Sequence, residues 1–121
     1  MKGLSEMKAA LYIRLVRGPG GDAATDAQKS ILTDLAQRED MEITEIYQDI
    51  GFSGRNFNRP SLQTLLKDSK EGRMDAVFVK DLSRLGRDVV GTWNLVKELR
   101  AYGVQVRTPN GADSEDFFRL A

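Results

Sequence analysis

The feature that most constrains the fold of this chain is a repeated switch in hydrophobic period. Short apolar runs rich in β-formers alternate with stretches whose apolar residues recur three and four apart. The run "AALYIRLV", residues 9–16, predicts a buried strand, and "RGPGG" after it predicts a turn. Thr25 and Gln28 have capping-box spacing, and Ile31, Leu32 and Leu35 follow at helical intervals, so a helix is expected over about 25–39. "MEITEIYQDI", residues 41–50, alternates loosely and reads as a second strand. The polar loop "GFSGRNFNRP" leads to Pro60, which suits a first helical turn. Leu62, Leu65 and Leu66 give that helix its apolar side, and Gly72 ends it. "MDAVFVK", residues 74–80, reads as a third strand and "DLSRLGRD" as a loop. Asp88 then caps a helix carrying Val89, Trp93, Val96 and Leu99, closed by Gly103. "VQVRT", residues 104–108, is a fourth strand, and "PNGADSEDFFRLA" is a turn and the start of a further helix. Residues 1–7 read as a loose leader.

This β-α-β-α-β-α-β order implies an α/β fold with a mainly parallel sheet of four to five strands and helices on both faces. No internal repeat, linker or low-complexity tract interrupts it, so residues 1–121 are expected to form a single domain. A chain of 121 residues can bury a core without disulfide or metal staples. With 40% hydrophobic and 30% charged residues, the composition is that of a globular protein rather than a disordered one. The formal net charge is zero, so no bulk positive field advertises nucleic acid, although a neutral total can hide a local basic patch. The absence of cysteine and histidine excludes disulfides, the usual N/S zinc sites and histidine general-base catalysis. No apolar run approaches the length of a membrane span and no signal peptide is apparent, so a cytoplasmic location is expected and no membrane partner.

In open sheets of this kind, sites form beyond the carboxyl ends of the strands. That rule points at the loops 16–25, 50–60, 80–88 and 108–114. Arg14, Asp49, Ser53, Arg59, Lys80, Asp81, Ser83, Arg84 and Arg87 all fall at or just past those ends. Arg84 and Arg87, three apart, project from one side of a helical turn. Guanidinium groups match phosphate oxygens with paired hydrogen bonds, and several around one point can stabilise a phosphoryl transition state. No carboxylate cluster resembles a two-metal site, so phosphoryl transfer without metal or cofactor is the natural reading. Each residue alone has a plainer explanation. Arg14 would serve equally as a buried partner of Asp49 or Asp81, and Arg84 with Arg87 as a solvated turn. "GPGG" lacks the Gly-Lys-Ser/Thr ending of a nucleotide-binding P-loop.

Taken in order and spacing, "YIR" at 12–14, Gln28, "DIGFSG" at 49–54, "NRP" at 58–60, "VKDLSRLGRD" at 79–88 and, more loosely, "GVQVRTPN" at 103–110 resemble the catalytic domain of the serine site-specific recombinases. This is the resolvase/invertase family, and the likeness is greatest to the large serine recombinases of mobile elements and transposons. It spans residues 8–114. The resemblance implies that a serine hydroxyl attacks a DNA phosphodiester to give a 5'-phosphoserine bond, after which subunits exchange strands and religate. It further implies that Arg14, Arg84 and Arg87 bind the scissile phosphate, with Tyr12, Gln28, Asp49, Ser53, Arg59, Lys80, Asp81 and Ser83 supporting them. DNA and further recombinase subunits, including copies of this chain, are the implied partners.

Two departures from the family pattern stand out. The family motif reads Tyr-x-Arg-x-Ser, and its serine is the nucleophile; "YIRLV" places Val16 there. Valine has no hydroxyl with which to attack phosphorus. Ser53 and Ser83 match supporting positions, and in-line attack demands close placement of the reacting atoms. The family also continues into a long dimer helix and DNA-binding domains, whereas this sequence stops at Ala121. The expectation is therefore a recombinase catalytic domain impaired in cleavage, or alternatively a non-catalytic accessory module that binds recombinase subunits or DNA. A receiver-like domain binding a phosphorylated small molecule is a third reading, disfavoured because arginines rather than clustered acids follow the first strand.

Overall fold

The computed structural model describes residues 7–15, 21–51, 59–85 and 88–109. Eight elements follow one another: β1 (Lys8–Leu15), α1 (Gly21–Arg38), β2 (Glu42–Ile50), α2 (Pro60–Lys70), β3 (Ala76–Phe78), a 3-10 turn (Leu82–Arg84), α3 (Val89–Ala101) and β4 (Gln105–Arg107). The strands form one sheet in the order β2-β1-β3-β4, and every neighbouring pair is parallel. The predicted α/β architecture is thus what the chain adopts.

β1 is a central strand, and its residues from Ala9 to Arg14 are all buried. A strand covered on both faces needs a continuous apolar run rather than an alternating one, which is how "AALYI" reads. Its side chains divide between two cores. Ala9, Leu11 and Ile13 pack with Leu32 and Ala36 of α1 and with Ala76 and Phe78 of β3. Ala10 and Tyr12 pack on the other face with Leu62 and Leu65 of α2 and Leu95, Val96 and Leu99 of α3. Helices therefore cover both faces, α1 on one and α2 with α3 on the other.

The edge strand β2 explains its own loose alternation. Ala9 pairs with Ile43 but Ala10 pairs with Glu45, so Thr44 is an extra residue in β2. Such a bulge resets the two-residue period. Ile43 and Ile46, three apart in sequence, consequently lie opposite Ala9 and Leu11 on the same face. Tyr47 turns to the other face, where its hydroxyl donates to Asp68 Oδ2 at 2.6 Å.

Several boundaries differ from expectation. α1 begins at Gly21, so Thr25 lies inside the helix and does not cap it. β3 and β4 are three residues each, because pairing extends only over Ala76–Phe78 and Gln105–Arg107. The segment "DLSRLGRD" contains a turn of 3-10 helix, closed by Arg84 N donating to Asp81 O at 3.1 Å. Asp88 does cap α3, accepting from Gly91 N at 2.8 Å. The buried side of α3 is Thr92, Leu95, Val96 and Leu99, whereas Val89 is 44% exposed. Gly72 and Gly103 end α2 and α3 at φ +77° and +84°, a conformation that disfavours any side chain. Residues 1–6 of the expected leader and the expected helix start after residue 109 lie outside the described residues. Among the described residues no helix is long and apolar enough to cross a membrane.

The connection from β1 runs outward to β2, and the connection from β3 runs the opposite way to β4. The crevice between the carboxyl ends of β1 and β3 is therefore the switch point where α/β proteins place their sites. Arg14 stands at one lip and the turn 82–84 at the other.

The adjacent residues Ile31 and Leu32 test this packing. Leu32 is fully buried and Ile31 is 43% exposed. Leu32→Ala is expected to cost about 2–5 kcal/mol in urea unfolding, and Ile31→Ala less than about 1 kcal/mol.

Candidate functional site

The site is assembled from β1, β2, the first turn of α2 and the 3-10 turn. Pro60 occupies the first helical position of α2, and Arg59 is its N-cap residue without a side-chain capping bond. The missing cap is supplied from another element. Asp49, at the end of β2, accepts from Ser61 N at 2.9 Å through Oδ1 and from Leu62 N at 3.0 Å through Oδ2. A carboxylate at a helix N-terminus meets both its unbonded amides and its positive end. Ser61 Oγ also donates to Gln48 O at 2.7 Å, which fastens the same turn to β2.

Freed from capping, the Arg59 side chain passes into the interior, where it is 0% exposed. Its Nη1 donates to Tyr12 Oη at 3.0 Å and to Arg84 O at 2.8 Å, and its Nη2 donates to Leu85 O. Its guanidinium carbon lies 5.7 Å from the centre of the Tyr12 ring. Tyr12 in turn donates to Asp49 Oδ2 at 2.8 Å. Arg14, 2% exposed, sends Nε to the same Arg84 carbonyl at 3.0 Å. Two guanidiniums thus meet on one carbonyl oxygen and fix the main chain of the 82–85 turn.

The twelve positions singled out in the sequence divide accordingly. Tyr12, Arg14, Asp49, Arg59 and the Arg84 backbone come together in one buried network. Asp49 is bonded to Tyr12 and to the amides of α2, so the reading of Asp49 as the direct carboxylate partner of Arg14 gives way to a helix cap. Arg84 is half-buried, and its Nε is buried without a hydrogen-bond partner among the described residues. Lys80 is exposed at the rim and Asp81 half-buried beside it, its carbonyl holding Arg84 N. Ser83 sits within the 3-10 turn. Gln28 lies on α1, 3% exposed, and its Oε1 has no hydrogen-bond partner among the described residues. Val16, Ser53 and Arg87 lie outside the described residues.

The groups that sequence reasoning missed are backbone atoms: the carbonyls of Arg84 and Leu85 and the amides of Ser61 and Leu62. One signal was present. Pro60 marks a helix start, and the arginine before it cannot cap that helix, which demands a cap from elsewhere.

The Tyr12 hydroxyl is the buried nucleophile nearest the network, and its state argues against a reactive role. Burial, reinforced by the hydrogen bond to Asp49, pushes it well above the ordinary tyrosine range, and the Arg59 charge only partly offsets this. It is a neutral, enclosed hydroxyl. What the arrangement offers instead is a turn held by two guanidiniums, with the half-buried Arg84 side chain beside a crevice between two strand ends.

Comparison with known proteins agrees with this architecture. The chain belongs to the family described as "Resolvase, N terminal domain", whose model matches residues 9–119. It is similar to the N-terminal catalytic domain of TP901-1 integrase, with a TM-score of 0.80 and 30% identity over 93% of this chain and 88% of that one. It is also similar to a resolvase family site-specific recombinase from Streptococcus pneumoniae, with a TM-score of 0.76 and 29% identity over 90% and 76% of the two chains. In sequence it is 41% identical over 69 residues to a resolvase/recombinase of Pseudomonas putida, covering 57% of this chain and 36% of that protein. It is 41% identical over 64 residues to the Tn3 transposon resolvase of Escherichia coli, covering 53% and 34%. Each match spans about a third of the relative's length.

The two buried tyrosines give the fold an alkaline limit. Tyr47, like Tyr12, is raised first by burial and then by its carboxylate partner, Asp68. Below the unfolded tyrosine value of about 10 both states keep the proton and nothing changes. Above it the unfolded chain releases protons that the folded chain retains, so stability falls as pH rises. The urea midpoint of Tyr12→Phe is expected to fall less steeply above about pH 10 than that of the wild type. Parallel slopes would show that Tyr12 titrates as it does when unfolded.

Proposed function

We propose that this chain is the catalytic-type domain of a site-specific DNA recombinase that holds a DNA phosphodiester at the crevice beside Arg14 and Arg84 but does not cleave it as it stands. The observation that carries the second half is Val16, which occupies the nucleophile's place in a Tyr-x-Arg-x-Ser motif. In the family reaction a serine oxygen attacks phosphorus in line, the bond from phosphorus to the 3' oxygen breaks, and the enzyme keeps the 5' phosphate as an ester. The covalent ester preserves the energy of the broken bond for religation. A valine side chain has no lone pair to offer. The neighbouring functions survive such a change: Arg14, Arg84 and Arg87 would still contact the non-bridging oxygens through charge-assisted hydrogen bonds.

Membership of the resolvase family supports DNA as the partner and assembly with recombinase subunits, its own copies included. It fits action on the DNA of a prokaryotic cytoplasm, with residues 1–121 as one catalytic-type domain and neither cofactor nor metal required. The neutral net charge implies that binding to DNA by this domain alone is weak. Val16 equally favours a second reading, in which the chain joins active recombinase subunits as a non-cleaving member and so modulates recombination.

Incubation with supercoiled DNA carrying recombination sites, followed by denaturing electrophoresis, tests the proposal. No covalent protein–DNA adduct is expected from the wild type. Val16→Ser, in a chain joined to a DNA-binding region, is expected to form one. An adduct from the wild-type chain would overturn the reading.

A further inference from the structure

We infer that Arg59 is a positioning residue, which acts by fixing the main chain beneath Arg84 and does not itself hold the phosphate. This rests on the reading of Arg84 as a phosphate-binding side chain and deepens it.

Arg59 is 0% exposed, and both of its terminal nitrogens are engaged by acceptors of the protein itself, the Tyr12 hydroxyl and two main-chain carbonyls. The directions of its hydrogen bonds agree. Nη1 and Nη2 donate to the carbonyl oxygens of Arg84 and Leu85, successive residues at the end of the 3-10 turn. The planar fork of arginine suits such a pair of acceptors, and a lysine ammonium cannot reproduce it. The other end of the residue is fixed as firmly. Its backbone starts α2, which Asp49 holds to β2 through the amides of Ser61 and Leu62. Tyr12 joins both ends by bonding Asp49 and Arg59 together.

Arg84 differs in exposure. It is half-buried rather than enclosed. Its carbonyl is the shared acceptor of Arg14 and Arg59. With the main chain held from below, the aim of the Arg84 side chain is set before any ligand arrives. Placement of a charge in advance is what makes it effective at a reacting phosphate. Arg59 thereby transmits the position of α2 to Arg84.

The test uses 15N-labelled protein titrated with inorganic phosphate and followed by NMR. In the wild type the Arg84 Nε–H signal is expected to shift saturably while the Arg59 Nε–H signal stays in place. In Arg59→Lys the Arg84 and Leu85 amides, which donate to Asp81 O and Leu82 O, are expected to exchange with solvent at least about tenfold faster. Phosphate affinity is expected to fall by about tenfold in that variant, while exchange at Leu99 in the core is unchanged. A merely structural role would weaken the core and the turn together. Movement of the Arg59 signal in step with that of Arg84 would overturn the inference without any variant. So would an Arg59→Lys protein whose turn amides and phosphate affinity match the wild type. If phosphate moves no arginine signal while Arg59→Lys still loosens the turn, the phosphate reading fails and the mechanical role of Arg59 stands.

Discussion

A single buried cation, the guanidinium of Arg59, joins the parts of this molecule that have to agree. It begins at the first turn of α2, passes the ring of Tyr12 on β1 and ends on the carbonyls of the turn after β3. Taking such a charge out of water is costly unless it is well bonded. Here carbonyl oxygens and a phenolic oxygen receive it, and the Asp49 carboxylate lies one hydroxyl away. The arrangement is self-consistent only as a whole. Asp49 caps α2 because Arg59 does not, and Arg59 is available to the turn because Asp49 caps α2.

The topology explains why this network sits where it does. Reversal of the winding direction between β1 and β3 opens a crevice at their carboxyl ends. Arg14 and Arg84 flank that crevice, and Arg59 braces it from behind. The same strand, β1, supplies Tyr12 to one core, Leu11 and Ile13 to the other, and Arg14 to the site. A substitution in β1 therefore acts on packing and site geometry together.

Much of this was legible in the sequence. The period switches located each strand and α-helix among the described residues, though not the 3-10 turn, and Asp88 and Gly103 marked the limits of α3 because caps are local chemistry. What was hidden depended on contacts distant in sequence. The bulge at Thr44 reflects pairing with β1, which no window within β2 reveals. α1 starts at Gly21, earlier than expected, because the glycines and proline of "GPGG" in the sequence read as a turn. Arg59 and Arg84 look alike as arginines beside helix starts, yet one is enclosed and the other half-buried. Their difference arises from where Asp49 and Tyr12 stand in the sheet, a matter of register. Resemblance set Arg14 and Arg84 apart from a supporting Arg59, but it could not reveal that the Arg59 guanidinium ends on the carbonyls of Arg84 and Leu85.

The interdependence of this network is measured most directly by a double-mutant cycle between Tyr12→Phe and Arg59→Lys, with unfolding free energies from urea titration. If Tyr12 and Arg59 act as one unit, the two losses will differ from additivity by about 1–3 kcal/mol. Additivity to within about 0.5 kcal/mol would contradict the account, because residues without shared consequences behave in that way.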